Sequence, residues 1–135
     1  MERGREGRYP RQRAGMIREA WEAYEPFREE FTSLAPDKYP PEYIDGCVMI
    51  GSWRCWGTDE AAILTEVRTY PSGLKELHGL AAAGDVGVIL ELIEVAEAWG
   101  RQWGCDIAAI ESRPAWQKLL PGYEPEQVRI VKGLN

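Results

Sequence analysis

The sequence predicts an α+β fold in which a mixed, mostly antiparallel sheet carries helices on both of its faces. Residues 85–104 form a long amphipathic helical pattern, and residues 105–112 have the pattern of a short strand that is covered on both sides. Before them, strand-like segments at 47–56, 61–69 and 74–82 are separated by turn signals. Strands that lead into a helix–strand–helix unit favour a sheet between two helical layers.

The N-terminal part is predicted to be helical. Residues 16–31 have helical spacing to about residue 25, and Pro26 bends or ends that helix. Residues 32–41 hold several prolines and form a loop, after which residues 40–44 begin another helical turn.

Two turns divide the predicted strands. Residues 57–60 join the first two strands as a hairpin, and residues 70–73 form a second turn. In the third strand, alternation places one set of side chains on a single face: Leu74, Glu76, His78 and Leu80.

The long helix has clear signals at both of its ends. Asp85 is a good N-cap, because its carboxylate accepts a hydrogen bond from the first turn and suits the positive end of the helix dipole. Gly104 is placed to end the helix as its C′ residue. The apolar face between them comprises Ile89, Leu92, Ile93, Ala96, Trp99 and Trp103. Glu97 and Arg101 are spaced for an i,i+4 ion pair of about 0.3 kcal/mol.

The segments after the long helix complete the unit. Residues 105–112 present apolar side chains on both sides, which is typical of a buried strand. Pro114 is favourable in the first turn of a second helix, predicted over 114–120 and ended by Pro121 and Gly122. A last strand is predicted within 123–133, around Val128, Ile130 and Val131.

Composition indicates one domain over residues 16–135, preceded by a basic arm over residues 1–15. The chain has 135 residues, of which 44% are hydrophobic, enough for a substantial core. No apolar run approaches the length of a membrane span, and the polar N-terminus does not have the pattern of a secretory signal peptide.

The cysteines and the single histidine do not form a recognisable metal or disulfide pattern. Cys47, Cys55 and Cys105 are an odd number without CxxC spacing, and His78 cannot complete a familiar zinc site with them. We therefore expect no metal and a reducing, intracellular setting.

Charge is distributed unevenly along the chain. Residues 1–18 hold six arginines and two glutamates, a net charge of +4, whereas the remaining chain carries −10. The acidic body should repel nucleic acid. The arm is either a solvated tail or a segment that orders on an acidic protein partner; its candidate interface residues are Arg3, Arg5, Arg8, Tyr9, Arg11 and Arg13.

Three short motifs follow one another in the second half of the chain. Residues 103–105 read Trp-Gly-Cys, residues 113–116 read Arg-Pro-Ala-Trp, and Gly122 precedes Tyr123. Together with the order of helices and strands, these motifs resemble the GNAT-type N-acetyltransferase fold over residues 16–132. The chain looks most like the short GNAT-like proteins encoded by bacteriophages.

The resemblance implies a place for acetyl-CoA. In the enzymes of this fold, the cofactor lies where the third and fourth sheet strands separate, with its pyrophosphate at the N-terminus of the long helix. The matching positions here are Ala81, Gly84, Asp85, Val86 and Gly87. Ala81 replaces a basic or amide residue and Val86 replaces a small one. Asp85 adds a like charge, which at about 4 Å and an effective dielectric constant of about 20 costs about 4 kcal/mol before screening. These departures predict poor binding of CoA.

The resemblance also implies positions for acid–base groups. A glutamate on a central strand often takes the proton of the attacking amine, and Glu66 and Glu76 hold such positions, although exposed strand carboxylates would have the same pattern. The segment that usually supplies a tyrosine for the leaving thiolate has none, and Tyr123 matches a packing aromatic. His78 either lines a site or packs beside Gly79.

Two functions remain open at this stage. The first is a non-catalytic GNAT-like phage protein without a cofactor. It would act as a virion or assembly adaptor through contacts with phage structural proteins, in the host cytoplasm or the virion. The second is a CoA-dependent N-acetyltransferase with a degenerate pyrophosphate loop. Binding of nucleic acid through the arm alone is a third possibility, which the acidic body disfavours.

Overall fold

The computed structural model describes residues 16–112 and 114–135 and confirms the α+β class. Within these residues, the sheet comprises β1 (Arg18–Glu19), β2 (Arg54–Gly57), β3 (Ala61–Thr69), β4 (Lys75–Gly84) and β5 (Ile107–Ile110). The α-helices are α1 (Ala20–Tyr24), α2 (Arg28–Thr32), α3 (Pro41–Ile50) and α4 (Val86–Gln102). Short 3-10 helices cover Glu25–Phe27 and Pro114–Leu119.

Two of the sequence-based expectations lie outside the described residues. One is the basic arm, residues 1–15, with the interface candidates Arg3, Arg5, Arg8, Tyr9, Arg11 and Arg13. The other is Arg113 of the motif at residues 113–116. No helix in the described part of the chain is both long and apolar enough to span a membrane.

The five strands lie in the order β1-β2-β3-β4-β5, and only the last pair is parallel. The hairpin of β3 and β4 is the longest pair, and a β-bulge opposite Leu64 and Thr65 leaves Leu80 without a partner in the register. β4 and β5 are paired from Glu76 opposite Ile107 to Gly79 opposite Ile110. β5 then ends, whereas β4 continues to Gly84, so the far half of β4 has no neighbour on that side.

Helices cover both faces of the sheet, as predicted. α4 packs on one face, in a core that includes Trp56, Ile63, Leu77, Val88 and Leu92. The three shorter α-helices pack on the other face, in a core that includes Tyr24, Phe31, Ile44, Val48 and Leu64. Burial of each large apolar side chain contributes about 1.5–3 kcal/mol. The alternation of side chains along β3 and β4 therefore assigns each residue to one of two distinct surfaces.

The predicted ends of α4 are confirmed. The Asp85 carboxylate accepts a hydrogen bond from the Val88 amide at 3.0 Å, and Gly104 has a φ of 82° after the helix ends. The prediction for Trp103 was wrong, because its side chain is 59% exposed rather than part of the buried face. Trp103 is the C-cap and has left the helical conformation, so the helical spacing no longer aims it at the sheet.

The predicted strand over residues 47–56 was also wrong. Its first part belongs to α3, and only Arg54–Gly57 is extended. Pro41 occupies the first turn of α3, and Gly51 ends the helix with a φ of 86° and an amide that bonds the carbonyls of Cys47 and Val48. Helix signals at both ends thus outweigh the β-branched residues between them.

The C-terminal segments differ from the prediction as well. Residues 114–119 form a 3-10 helix rather than an α-helix. The last strand is absent from the described residues: residues 124–135 have no strand assignment, and Val128 and Ile130 are 84% and 90% exposed. A strand forms only where a neighbour pairs with its amides and carbonyls, and no described backbone hydrogen bond links this segment to the sheet. At the other end, β1 occupies the start of the helix predicted over 16–31, while Pro26 interrupts the helix as expected.

Candidate functional site

A cleft opens where β4 and β5 cease to pair. It has a volume of about 410 Å³ and is lined mainly by apolar residues. Its walls come from the free half of β4, from the end of β5 and from the inner face of α4. Lining residues include Gly79, Ala81, Ala82, Ile89, Ile93, Ala109 and Glu111. Because Leu64 and Leu80 line it as well, the cleft reaches through the split towards the face that carries the short helices.

Gly79 marks the point where the two strands part. A Cβ at this position would lie 3.1 Å from Cγ1 of Ile110, which is closer than an ordinary van der Waals contact. The absence of a side chain therefore allows β5 to approach β4 up to this residue. Beyond it, the small side chains of Ala81 and Ala82 leave space against the backbone of β4. This edge of the cleft suits a slender apolar chain.

The N-terminus of α4 lies at one end of the cleft, next to Ile89. Only Asp85 separates the end of β4 from the beginning of α4. The strand predicted over residues 74–82 therefore extends to Gly84, and the positions matched to a pyrophosphate loop form a strand end and a helix tip instead. Gly84 is required there, because a Cβ would lie 2.3 Å from the carbonyl oxygen of Glu60. The end of β4 therefore packs closely against the residues that begin β3, and no room is left for a loop between β4 and α4.

The first turn of α4 presents its amides to solvent. The first four N–H groups of an α-helix have no partner within the helix, and Asp85 caps one of them, that of Val88. The amides of Val86 and Gly87 remain at the tip, where the helix dipole favours an anion. Of the candidate cofactor-binding positions, Ala81 lines the cleft, Gly84 shapes the strand end, and Asp85, Val86 and Gly87 form the helix tip.

A buried polar group lies on the opposite side of β4. The Tyr70 hydroxyl donates to Oε1 of Glu76 at 2.8 Å, and Oε2 of the same carboxylate lies 2.7 Å from Nδ1 of His78. Glu76 and His78 are 5% and 3% exposed. Burial acts to raise the pKa of Glu76, but the hydrogen bonds from His78 and Tyr70 outweigh it and the pKa is lowered. The bond to Glu76 raises the pKa of Tyr70.

The geometry assigns the two ring nitrogens of His78 different states. Both Glu76 oxygens accept hydrogen bonds, so the neutral imidazole carries its proton on Nδ1 and a lone pair on Nε2. Nε2 is buried and has no hydrogen-bond partner among the described residues. The nearest carboxylate oxygen is Oε1 of Glu111, at 3.6 Å. Glu111 is exposed, lines the cleft and follows the end of β5.

The two candidate bases from the sequence are both engaged. Glu66 lies opposite His78 in the β3–β4 register, and its Oε2 accepts a hydrogen bond from Nε of Arg68 at 2.7 Å. Glu76 uses both oxygens as described above. Neither carboxylate therefore stands free beside the cleft, although both lie on the face that carries the buried polar group. The sequence signal that brings them together with His78 is alternation along paired strands.

Tyr123 makes a contact that its motif does not reveal. Its hydroxyl donates to Oε2 of Glu97 on α4 at 2.5 Å, and both residues line the cleft. Burial and this hydrogen bond raise the pKa of Tyr123 well above its ordinary range. The C-terminal segment is thereby fastened across α4, at the wall of the cleft.

The described part of the chain has no cluster of side chains that would support metal binding or thiol chemistry. No group of three or more His, Cys, Asp or Glu side chains has the spacing of a metal site there. Cys47 and Cys55 are buried, and burial raises the pKa of Cys55 to about 12, so its thiolate is not formed near neutral pH.

These features define an α+β domain with a split mixed sheet and an apolar cleft at the split. Solved structures similar to this fold over most of the chain include N-acetyltransferases. A GCN5-related N-acetyltransferase from Ralstonia eutropha JMP134 has a TM-score of 0.67 at 18% identity, over 88% of this chain and 97% of its own. An aminoglycoside N-acetyltransferase in complex with CoA has a TM-score of 0.61 at 18% identity, over 89% and 95%.

A predicted acetyltransferase from Clostridium acetobutylicum, solved with acetyl-CoA, has a TM-score of 0.63 at 11% identity, over 88% of this chain and 96% of its own. No protein-family model and no curated protein matches the sequence. The protein therefore has the GNAT fold, the fold that the sequence motifs indicated.

Proposed function

We propose that the protein is a CoA-dependent N-acyltransferase that transfers an acyl group to an amine. The observation that carries the proposal is the cleft at the split between β4 and β5, which runs from Ile89 near the start of α4 towards the opposite face of the sheet. When bound, acyl-CoA supplies a thioester whose acyl group passes to the amine nitrogen, while the sulfur leaves as the thiol.

The residues of the cleft suit the two parts of such a molecule. The amides of Val86 and Gly87 and the dipole of α4 favour phosphate oxygens, while the small residues along β4 leave room for the slender arm that carries the thioester. Asp85 opposes the anion, and the missing loop removes further amides. We therefore expect saturable binding of modest affinity, in which the apolar part of the cleft contributes most.

Calorimetry with acetyl-CoA tests the proposal directly. One-to-one binding should be lost in an Ala82→Trp variant, because Ala82 lines the cleft and an indole there would fill it. An Ala98→Trp variant is the matched control, since Ala98 is an exposed residue of α4 outside the lining. Absence of saturable binding to the unsubstituted protein, or equal binding by both variants, would overturn the assignment.

The first function expected from the sequence was a non-catalytic adaptor that contacts phage structural proteins through its arm, with the acetyltransferase as the alternative. Its interface candidates all fall within residues 1–15, so no contact in the described part of the chain argues for it, and none of the structural neighbours above is a phage protein. We prefer the enzyme because a cleft at the sheet split has no evident use in an adaptor. Failure of the calorimetric test would return the adaptor to first place.

A further inference from the structure

We propose that Nε2 of His78 accepts the proton of a cationic amine that the Glu111 carboxylate holds at the cleft, with Glu76 and Tyr70 as positioning residues. The proposal rests on the function proposed above and names the class of its acceptor, an alkylamine that is protonated at neutral pH. Three features of the structure support it: the state of the imidazole, the position of Glu111 and the charge around them.

The hydrogen bonds around His78 fix the state of its imidazole. A buried polar atom without a hydrogen-bond partner costs free energy, and native proteins tolerate few of them. Nε2 of His78 is such an atom, yet the other side of the ring is held by a short hydrogen bond to a carboxylate that Tyr70 holds in turn. This arrangement fixes the ring and its tautomer and leaves a lone pair on the nitrogen that faces Glu111. A fixed lone pair of this kind suits a proton acceptor.

Glu111 is placed to anchor the ammonium group of the acceptor. Oε1 of Glu111 lies 3.6 Å from Nε2, too far for a hydrogen bond, and the Glu111 side chain is 76% exposed. Glu111 lines the cleft and His78 does not, so the Glu111 carboxylate can hold an ammonium group at the opening, and Nε2, 3.6 Å from one of its oxygens, is reached from there. In the proton step, one N–H bond of the ammonium breaks, its electron pair stays on the amine nitrogen, and the proton joins the lone pair of Nε2. The amine is then a nucleophile.

Charged side chains surround the imidazole of His78. Glu66 and Arg68 of β3 face it from the neighbouring strand and are paired with each other, Glu76 and Tyr70 lie beneath it, and Glu111 faces it from β5. Arg68 is paired with Glu66 and lies near Glu76 and Glu111 as well, and three carboxylates against one guanidinium leave the surface negative. Such a surface attracts a cation and disfavours an anionic acceptor.

His78 is the only histidine of the chain, so ¹⁵N-histidine NMR reports on one imidazole. In the free protein we expect the neutral imidazole to carry its proton on Nδ1. We expect spermidine, used as the cationic probe, to shift the imidazole signal, and a Glu111→Gln variant to reduce the shift several-fold. If spermidine leaves the imidazole signal unchanged, or if the proton is found on Nε2, the proposal is overturned. Neither result would affect the assignment of CoA binding.

Steady-state kinetics provide the second readout. His78→Asn keeps a donor for Glu76 and should lower kcat for spermidine by about 10²–10⁴-fold, with the calorimetric affinity for acetyl-CoA unchanged. Glu111→Gln should raise KM for spermidine about tenfold and leave KM for aniline, which is uncharged at neutral pH, unaltered. A His78→Asn variant that binds acetyl-CoA and keeps its kcat contradicts the role of the imidazole. Loss of acetyl-CoA binding by the unsubstituted protein would instead contradict the proposed function.

Discussion

Gly79 of β4 and Ile110 of β5 are the last partners of the parallel pair, and Gly79 has no side chain that would hold the two strands apart. The position of the cleft follows from this contact, because β4 continues beyond it and β5 does not.

Gly79→Val should therefore weaken both the fold and the site. A Cβ would lie 3.1 Å from the Ile110 side chain, and overpacking of this kind costs about 1–3 kcal/mol. Urea unfolding and calorimetry with acetyl-CoA would measure the two effects. Gly46→Ala is the control, because nothing lies within 4 Å of its Cβ and alanine favours the helix by about 0.5–1 kcal/mol. Equal stability changes at the two glycines would contradict the described contact.

Asp85 combines a stabilising cap with an unfavourable charge. Asp85→Asn keeps an oxygen that accepts the Val88 amide but removes the negative charge from the tip of α4. We expect acetyl-CoA to bind about fivefold more tightly, which corresponds to ~1 kcal/mol. Asp85→Ala should also lose the cap, at about 1 kcal/mol of stability. If Asp85→Asn binds acetyl-CoA no better, phosphate does not approach this helix tip.

Asp45 joins α3 to the two helices that precede it. Its carboxylate accepts two hydrogen bonds from Arg28, at 2.9 and 2.8 Å, and one from the Tyr24 hydroxyl at 2.7 Å. The hydrogen bonds from Arg28 lower the pKa of Asp45. The pair therefore stabilises the fold fully at pH values above the ordinary carboxyl pKa of about 3.9. This stabilisation is lost as the pH falls through the lowered pKa. Asp45→Asn should cost about 1–2 kcal/mol near pH 7 and flatten the acid limb of the stability profile. Unchanged acid unfolding would argue against the pair.

Tyr123 should make the protein sensitive to alkali. Burial and the Glu97 hydrogen bond raise its pKa, so the neutral hydroxyl stabilises the fold below the ordinary tyrosine pKa of about 10. That contribution is lost as pH rises from there towards the raised value. Tyr123→Phe should cost about 1 kcal/mol at neutral pH and reduce the loss of stability above pH ~10. Thermal unfolding across this range would check it, and Tyr39→Phe, at a residue that is 40% exposed, is the control.

Local chemistry in the sequence determined a large part of this fold. The cap at Asp85, the glycine at 104 and the alternation along β3 and β4 are short-range signals, because each depends on hydrogen bonds or side-chain directions within a few residues. The same alternation placed Glu76 and His78 on one face. The motifs after α4 then indicated the fold that the solved N-acetyltransferases share.

Other features were decided only by the tertiary structure. Which face of the sheet α3 covers depended on the core that it completes, and the apolar residues near 128–131 lack a paired neighbour in the described sheet. The hydrogen bonds from Tyr70 and Tyr123 join residues whose distance in space follows from strand register and chain reversal. The split at Gly79 depends on where β5 stops relative to β4. Such relations need the whole sheet, because pairing between distant segments leaves no mark on either segment alone.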